Sequence, residues 1–292
     1  MTAGAGPVFR LGVSEIAWDA DWPERAREAE RLGYDTFATT DHLGMTAPFP
    51  SLATAAAATT RIGLATYLTN TSLWDPEVLA REVAGTDRLS GGRLTVGLHA
   101  GQTSTTATAS LTARDRYDRL AATVEALDRL LRDPAHRPRP ARAPRPGLMI
   151  GAREPDELEL AARRADTVCF VGAALPPGGG FVLDGPDAFA AQVALVRARA
   201  AELGRAPELN TGVKKVVVTD DRRAAADALR PALAPHLTAD QLLGLPSVLI
   251  GTHEEIARQI RRDHDRYGLT SYMILTAHLY DFAPVIPLLR KG

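Results

Sequence analysis

The chain has 292 residues, 45% hydrophobic and 24% charged, with a formal net charge of -1. That composition is ordinary for a globular protein, and it offers no excess of basic charge to neutralise nucleic-acid phosphates or an anionic membrane, so neither is an expected partner. A single cysteine, Cys169, excludes an internal disulfide and a cysteine zinc site and suits a reducing cytoplasm, while Met1 to Pro7 lacks the pattern of a signal peptide and no stretch approaches about 18 uninterrupted apolar residues.

Taken in order, Val8 to Val13 reads as a first strand ending at Ser14-Glu15, and Trp22 to Leu32 as a helix with Pro23 in its first turn and Gly33 at its end. Tyr34 to Thr39 is a short buried strand running out at Asp41-His42. Phe49 to Thr60 is an alanine-rich helix, Arg61 to Leu68 a third strand, and Thr69 to Asp75 a polar loop. Pro76 opens the helix Glu77 to Leu89, and Ser90-Gly91-Gly92 turns the chain into a fourth strand, Arg93 to Leu98. His99 to Ala113 has no apolar period and reads as a long loop. Arg114 to Leu131 is a helix with Leu120, Val124, Leu127 and Leu131 on one stripe.

Asp133 to Pro146, rich in proline and arginine, reads as a surface linker within one domain. Gly147 to Ile150 is strand five, Pro155 to Arg164 a helix, Asp166 to Val171 strand six, and Gly172 to Gly185 a flexible excursion. Pro186 to Leu203 is helical, Leu209 to Thr219 is strand seven, and Asp221 to Ala234 is helical. After an extended piece at Ser247 to Gly251, Thr252 caps the helix Glu254 to Tyr267, which Gly268 closes. Ser271 to Leu275 is strand eight and Asp281 to Arg290 a terminal helix. About eight alternating units in 292 residues predict a single-domain (β/α)₈ TIM barrel with loop insertions. An open doubly wound sheet fits less well, because no G-x-G-x-x-G follows the first strand.

In a barrel the loops after each strand share one mouth. They supply Glu15 and Trp18, Asp41 and His42, Thr66 to Asn70, and His99 to Gln102; the second half adds Gly151 to Glu154, Gly172, Lys214 and Lys215, and His278 with Tyr280. No clustered metal ligands, G-x-S-x-G elbow or Walker loop is among them, which points to metal-free redox or acid-base chemistry. Gly151-Ala152-Arg153-Glu154 turns from strand into helix, where free amides with Arg153 would hold a phosphate; an ordinary turn with an exposed arginine is the other reading. Strand alternation puts one of Lys214 and Lys215 inward, either to meet an anionic substrate or to form a salt bridge. Cys169 reads as core.

The order Tyr34-Asp35 to Asp41-His42-Leu43, Pro76 with Ala80-Arg81-Glu82, and Leu89-Ser90-Gly91-Gly92-Arg93 before Val96-Gly97-Leu98 resembles the bacterial luciferase-like family. Its nearest branch is the oxidoreductases using the deazaflavin coenzyme F420, in the short form that runs into a Val-Val-Val-Thr-Asp-Asp strand, here Val216 to Asp221. The resemblance implies a TIM barrel binding coenzyme F420, or alternatively FMN, at its mouth. It places the ring near Thr66, Tyr67 and Thr69, with a non-proline cis peptide at Thr66-Tyr67, and makes Asp41 and His42 ring-side residues. Ala100, Gly101 and Gln102, with Gly151, Ala152, Arg153 and Gly172, map to the phosphate and ribityl contacts.

The family often carries Trp or Glu after the Gly-x-Gly of strand four, where this chain has Gly97-Leu98-His99-Ala100-Gly101-Gln102. His42 or His99, with Glu15 third, would then supply the proton when a hydride reduces a C=C or C=N bond, since imidazole titrates near pH 7. A reduced-FMN monooxygenase, a non-catalytic flavin-binding barrel and a Schiff-base aldolase are the rival readings. The resemblance further implies a small-molecule substrate and a homodimer.

Overall fold

The computed structural model describes residues 7–17, 19–101, 110–174 and 182–290. Eight strands form the wall of a barrel: β1 (Arg10–Glu15), β2 (Thr36–Thr39), β3 (Gly63–Thr66), β4 (Leu94–His99), β5 (Gly147–Ala152), β6 (Thr167–Phe170), β7 (Glu208–Val213) and β8 (Ser271–Leu275). Each pairs in parallel with the next, and β8 pairs back to β1, with Gly12 opposite Met273 and Ser14 opposite Leu275. The fold is the expected (β/α)₈ barrel.

The helices outside it are α1 (Trp22–Leu32), α2 (Pro48–Ala58), α3 (Pro76–Leu89), α4 (Ala113–Arg132), α5 (Pro155–Arg164), α6 (Pro186–Glu202), α7 (Arg222–Leu233), α8 (Ala239–Leu243) and α9 (His253–Tyr267). Their ends follow local chemistry. The Asp75 carboxylate accepts the Glu77 and Val78 amides at the start of α3, Thr252 and Glu255 form a reciprocal capping box at α9, and Gly33 and Gly268 close α1 and α9 in the left-handed region. Leu11, Phe37, Leu64, Leu94, Ile150, Phe170 and Ile274 point out between barrel and helices into one continuous core. No helix among the described residues is long and apolar enough to cross a membrane.

Four expectations need correction. The strand expected over Leu209 to Thr219 breaks at Lys214, whose amide donates to Ser247 O at 2.7 Å instead of continuing the barrel. Lys215–Val218 then pairs with Val248–Gly251 in a separate parallel sheet that packs with α7 and α8 around a second apolar cluster. The terminal helix expected over Asp281 to Arg290 is instead a 3-10 turn and two short helices, Leu279–Phe282 and Val285–Arg290, interrupted by Pro284, which has no amide to donate. The third strand stops at Thr66 and resumes as Thr69–Asn70 against β4. Its non-proline cis peptide is Tyr67–Leu68, one residue later than expected, because the Tyr67 amide still extends the ladder by donating to Thr39 O at 2.6 Å.

Side chains alternate along each strand, so the register fixes the barrel interior. Gly97, Gly151 and Gly212 stand at inward positions on β4, β5 and β7. A Cβ at Gly97 or Gly151 would overlap the Leu68 side chain, and one at Gly212 would come within 3.0 Å of the Tyr67 hydroxyl. The two bulge residues after β3 therefore fill space that three bare glycines leave, and the barrel stays open above them.

Candidate active site

A cavity of about 270 Å³ lies at the carboxyl ends of the strands, lined by Ser14, Thr40, His42, Tyr67, Leu68, His99, Cys169, Val171, Ala173, Lys214 and Leu275. Most are the last inward residue of their strand or the next inward position beyond it. Tyr67 reaches across the barrel: its hydroxyl donates to Asn210 Oδ1 at 2.8 Å and lies 3.1 Å from the Cys169 thiol. Burial pushes the Cys169 thiol up to about 11 and the Tyr67 phenol well above its ordinary value, so both stay protonated at neutral pH. Cys169, expected in the core, thus borders the cavity.

His99 closes β4 and faces the cavity while the surrounding protein withdraws it from bulk water. Its Nδ1 accepts the Gly101 amide at 3.1 Å, which leaves the ring proton on Nε2. Burial, reinforced by His42, lowers its pKa to about 4. The expected imidazole poised near pH 7 is therefore not His99; this ring donates a hydrogen bond but carries no spare proton at neutral pH. His42 is the exposed histidine of the two.

A groove of about 220 Å³ leads away past His99, Val171 and Ala173, lined also by Ala100, Gly101, Arg116, Gly151, Arg153, Glu154 and Glu157. Gly101 has φ +82, and a Cβ there would overlap the Asn70 amide, so the position requires glycine. The amides at the start of α5 are not free to hold a phosphate as expected: those of Arg153 and Glu154 donate to Glu157 Oε2 at 3.0 and 3.2 Å. Arg153 is likewise committed, to Asp184 at 2.8 Å and to Glu154. Arg116 also lines the groove, with its Nη1 donating to Leu111 O at 2.8 Å and no carboxylate paired to it among the described residues; sequence reasoning missed it because it sits on α4, away from any strand end.

The other expected residues support the site without lining the cavity. Glu15 is buried, and its Oε1 accepts the Ile16 and Ala17 amides at 2.9 and 2.8 Å and the Thr276 hydroxyl at 3.0 Å, with Arg25 at 3.7 Å from Oε2. Those contacts hold the β1 loop to the β8 loop, and Glu15 itself is not among the residues that line the cavity. Asp41 is 7% exposed and turned away from it, accepting Trp74 Nε1 at 2.7 Å and the Asn70 amide at 3.2 Å. Burial raises its pKa and those donors oppose the shift.

Thr66 exchanges two 2.9 Å hydrogen bonds with the Gly97 backbone, and Thr69 and Ala152 are fully buried. Gly172 turns the chain at φ +67 beside the cavity wall. Gln102 and Trp18 lie outside the described residues. Leu68 falls within the expected Thr66 to Asn70 stretch, whereas Ser14, Thr40, Val171, Ala173 and Leu275 were missed; strand alternation could have found Ser14 and Leu275, but only with the register known. At the opposite end of the strands a hollow of about 520 Å³ is lined by arginines. Arg145 there is already engaged by Asp128 and Asp166, and Arg205 by backbone carbonyls.

Among solved structures the chain is similar to the monooxygenase RslO1 from Streptomyces bottropensis, with TM-score 0.73, 22% identity, and 97% of this chain and 98% of that chain covered. It is also similar to an F420-dependent secondary alcohol dehydrogenase in complex with an F420-acetone adduct (TM-score 0.73, 16% identity, 97% and 99% covered). A third is the coenzyme F420 dependent tetrahydromethanopterin reductase from Methanopyrus kandleri (TM-score 0.73, 17% identity, 97% of each chain covered). At these identities the likeness establishes the fold. No curated protein matches the chain. Residues 20–244 match the family described as luciferase-like monooxygenase, and with that match on this barrel the chain belongs to the bacterial luciferase-like family.

Proposed function

We propose that the protein is an F420-dependent oxidoreductase that moves a hydride between the deazaflavin and a small organic substrate, reducing a C=C or C=N bond. The observation that carries this reading is His99: a neutral imidazole, its Nδ1 anchored by the Gly101 amide, with Nε2–H as its remaining donor at the junction of cavity and groove. The preference for the deazaflavin is supported by the Val216–Asp221 run and by two structural neighbours whose names carry coenzyme F420. A homodimer is proposed on the same resemblance.

The residues present fit such a group. Cavity and groove join through His99, Val171 and Ala173, and together they reach the roughly 300–1,000 Å³ of ligand pockets. Tyr67 and Leu68 would support the ring, the Ala100–Gly101 backbone would flank the chain leading away from it, and Arg116 would meet its phosphate. Glu154 and Glu157 disfavour phosphate at the start of α5. When bound, the coenzyme supplies the hydride carbon. His99 donates a hydrogen bond that orients an oxygen in the cavity, and His42, the exposed imidazole, exchanges the proton with solvent. Leu68, Val171, Ala173 and Leu275 keep water off the reacting centre.

An FMN-dependent monooxygenase is the second reading, favoured by the family's description and by RslO1. Titration of the purified protein with oxidised coenzyme F420 and separately with FMN, followed by fluorescence, tests the choice. Micromolar binding of the deazaflavin with weak FMN binding is the expected result. Tight FMN binding moves the protein to the monooxygenase reading, and binding of neither removes both.

A further inference from the structure

The wall formed by β7, β8 and β1 carries two polar groups that the fold leaves without partners. Lys214 lines the cavity, and among the described residues no carboxylate or hydrogen-bond acceptor meets its ammonium. Ser14 is 1% exposed, and its hydroxyl has no hydrogen-bond partner among them. The register brings the two together: Ser14 stands opposite Leu275, and Lys214 follows Val213, which stands opposite Ile274. Both groups therefore occupy one level of the barrel, on either side of Leu275. A Cβ on Gly212 would lie 3.5 Å from Lys214 Nζ and 3.0 Å from the Tyr67 hydroxyl, so the ammonium stands above the cavity floor.

No acidic side chain lines this cavity, while Lys214 and two histidines do. Lys214 is half-buried, and a cation largely enclosed by protein without an anion is costly, as the depression of its pKa by desolvation reflects. A buried hydroxyl without a partner adds to that cost. Both losses are recovered by one ligand group with two acceptor oxygens. The salt bridge that was the alternative for an inward lysine is absent among the described residues.

We propose that the substrate carries a carboxylate, bound between the Lys214 ammonium and the Ser14 hydroxyl, with its apolar body against Val171, Ala173 and Leu275. This names the substrate class for the hydride-transfer reading above and rests on it. Lys214 is on this account the residue that selects the substrate's charge, and its ammonium stands on the side of the cavity where the Tyr67 hydroxyl ends.

The test is calorimetric titration of the protein loaded with oxidised coenzyme F420, using benzoate and the neutral analogue benzamide as probes. Benzoate is expected to bind at least tenfold more tightly than benzamide. Lys214→Met is expected to weaken benzoate at least thirtyfold and abolish the preference, and Ser14→Ala to weaken benzoate several-fold. Coenzyme affinity, read in the same samples, is expected to change far less than benzoate affinity. Lys214→Gln repeats the measurement should the methionine variant fail to fold.

Equal binding of the two probes, survival of the preference in both Lys214 variants, or loss of coenzyme binding in them overturns the proposal. If the protein takes up no coenzyme, the titration is run on the free protein. A Lys214-dependent benzoate preference there upholds the anion subsite while the F420 reading falls, and its absence removes both.

Discussion

His99 Nδ1 accepts the backbone amide of Gly101 at 3.1 Å, and that bond turns a loop histidine into a fixed donor. Gly101 can approach because it carries no Cβ to overlap Asn70. With the pKa lowered to about 4 by burial, His99 ionisation contributes no limb to a pH–rate profile between pH 5.5 and 8. Replacing His99 by alanine is expected to lower kcat/KM roughly 100-fold, while His99→Gln, which retains an N–H donor, keeps a larger share. The same depression acts on folding. The unfolded chain takes up the proton first, so stability is lost as pH falls from about 6.5 towards about 4, and urea melts of wild type and His99→Gln over that window read the difference.

Leu68 occupies the space that Gly97 and Gly151 leave empty. Gly151→Ala would set a methyl into the Leu68 side chain and is expected to destabilise the fold by about 1–3 kcal/mol, weakening coenzyme binding with it. In the Leu68→Ala background the same change has room. A double-mutant cycle by denaturant unfolding is therefore expected to give a coupling of about 1 kcal/mol or more; additivity would mean the glycine is not there for Leu68.

The barrel was legible because its punctuation is local. Pro76 with Asp75, Thr252 with Glu255, and Gly33 and Gly268 mark helix ends by satisfying amides or adopting positive φ, and such signals survive without tertiary information. The break at Lys214 was not legible. Val216, Val217 and Val218 are apolar enough for either sheet, and the choice is made by Ser247 and Val248–Gly251, more than 30 residues away. The site was half legible for the same reason. His42, His99 and Tyr67 stand where strands run out, whereas the roles of Ser14, Lys214 and Leu275 depend on register. Glu15 and Asp41 stand at strand ends yet do not line the cavity, because position at a strand end does not reveal which way a side chain turns: Glu15 meets the Ile16 and Ala17 amides, and Asp41 meets Trp74 Nε1 and the Asn70 amide.

Asp41 is a support for Trp74. Its carboxylate joins Trp74 Nε1 and the Asn70 amide, tying the β2 loop to the resumed third strand. Asp41→Ala leaves both donors unpaired and is expected to cost about 1–3 kcal/mol in stability. It should also shift the fluorescence of Trp74, read in a variant with Trp18 and Trp22 replaced by phenylalanine. Coenzyme affinity is expected to follow stability only, since Asp41 does not line the cavity. Loss of binding without loss of stability would return Asp41 to the ring-side role that the sequence suggested.

Asp263 gives the fold a pH dependence unrelated to the site. It lies on α9, 7% exposed, with Oδ2 unpartnered among the described residues, and burial raises its pKa to about 7 against the opposing charges of Arg262 and Arg266. A carboxyl whose folded pKa lies above its unfolded value stabilises the protein fully below the unfolded value, near pH 4. That contribution is lost as pH rises through about 7. The shift of roughly three units corresponds to about 4 kcal/mol at most, because water reaching the site when it ionises would reduce the cost. Asp263→Asn keeps the shape and removes the charge. It is therefore expected to raise Tm at pH 8 by roughly 5 °C, to raise it by about a third of that at pH 5, where only the unfolded chain is ionised, and to leave it nearly unchanged below about pH 4, where Asp263 is neutral in both states. A variant less stable than wild type at pH 8 would mean that the charged form has found a partner, and that α9 is held by an ion pair with Arg262 or Arg266 in place of a neutral carboxyl.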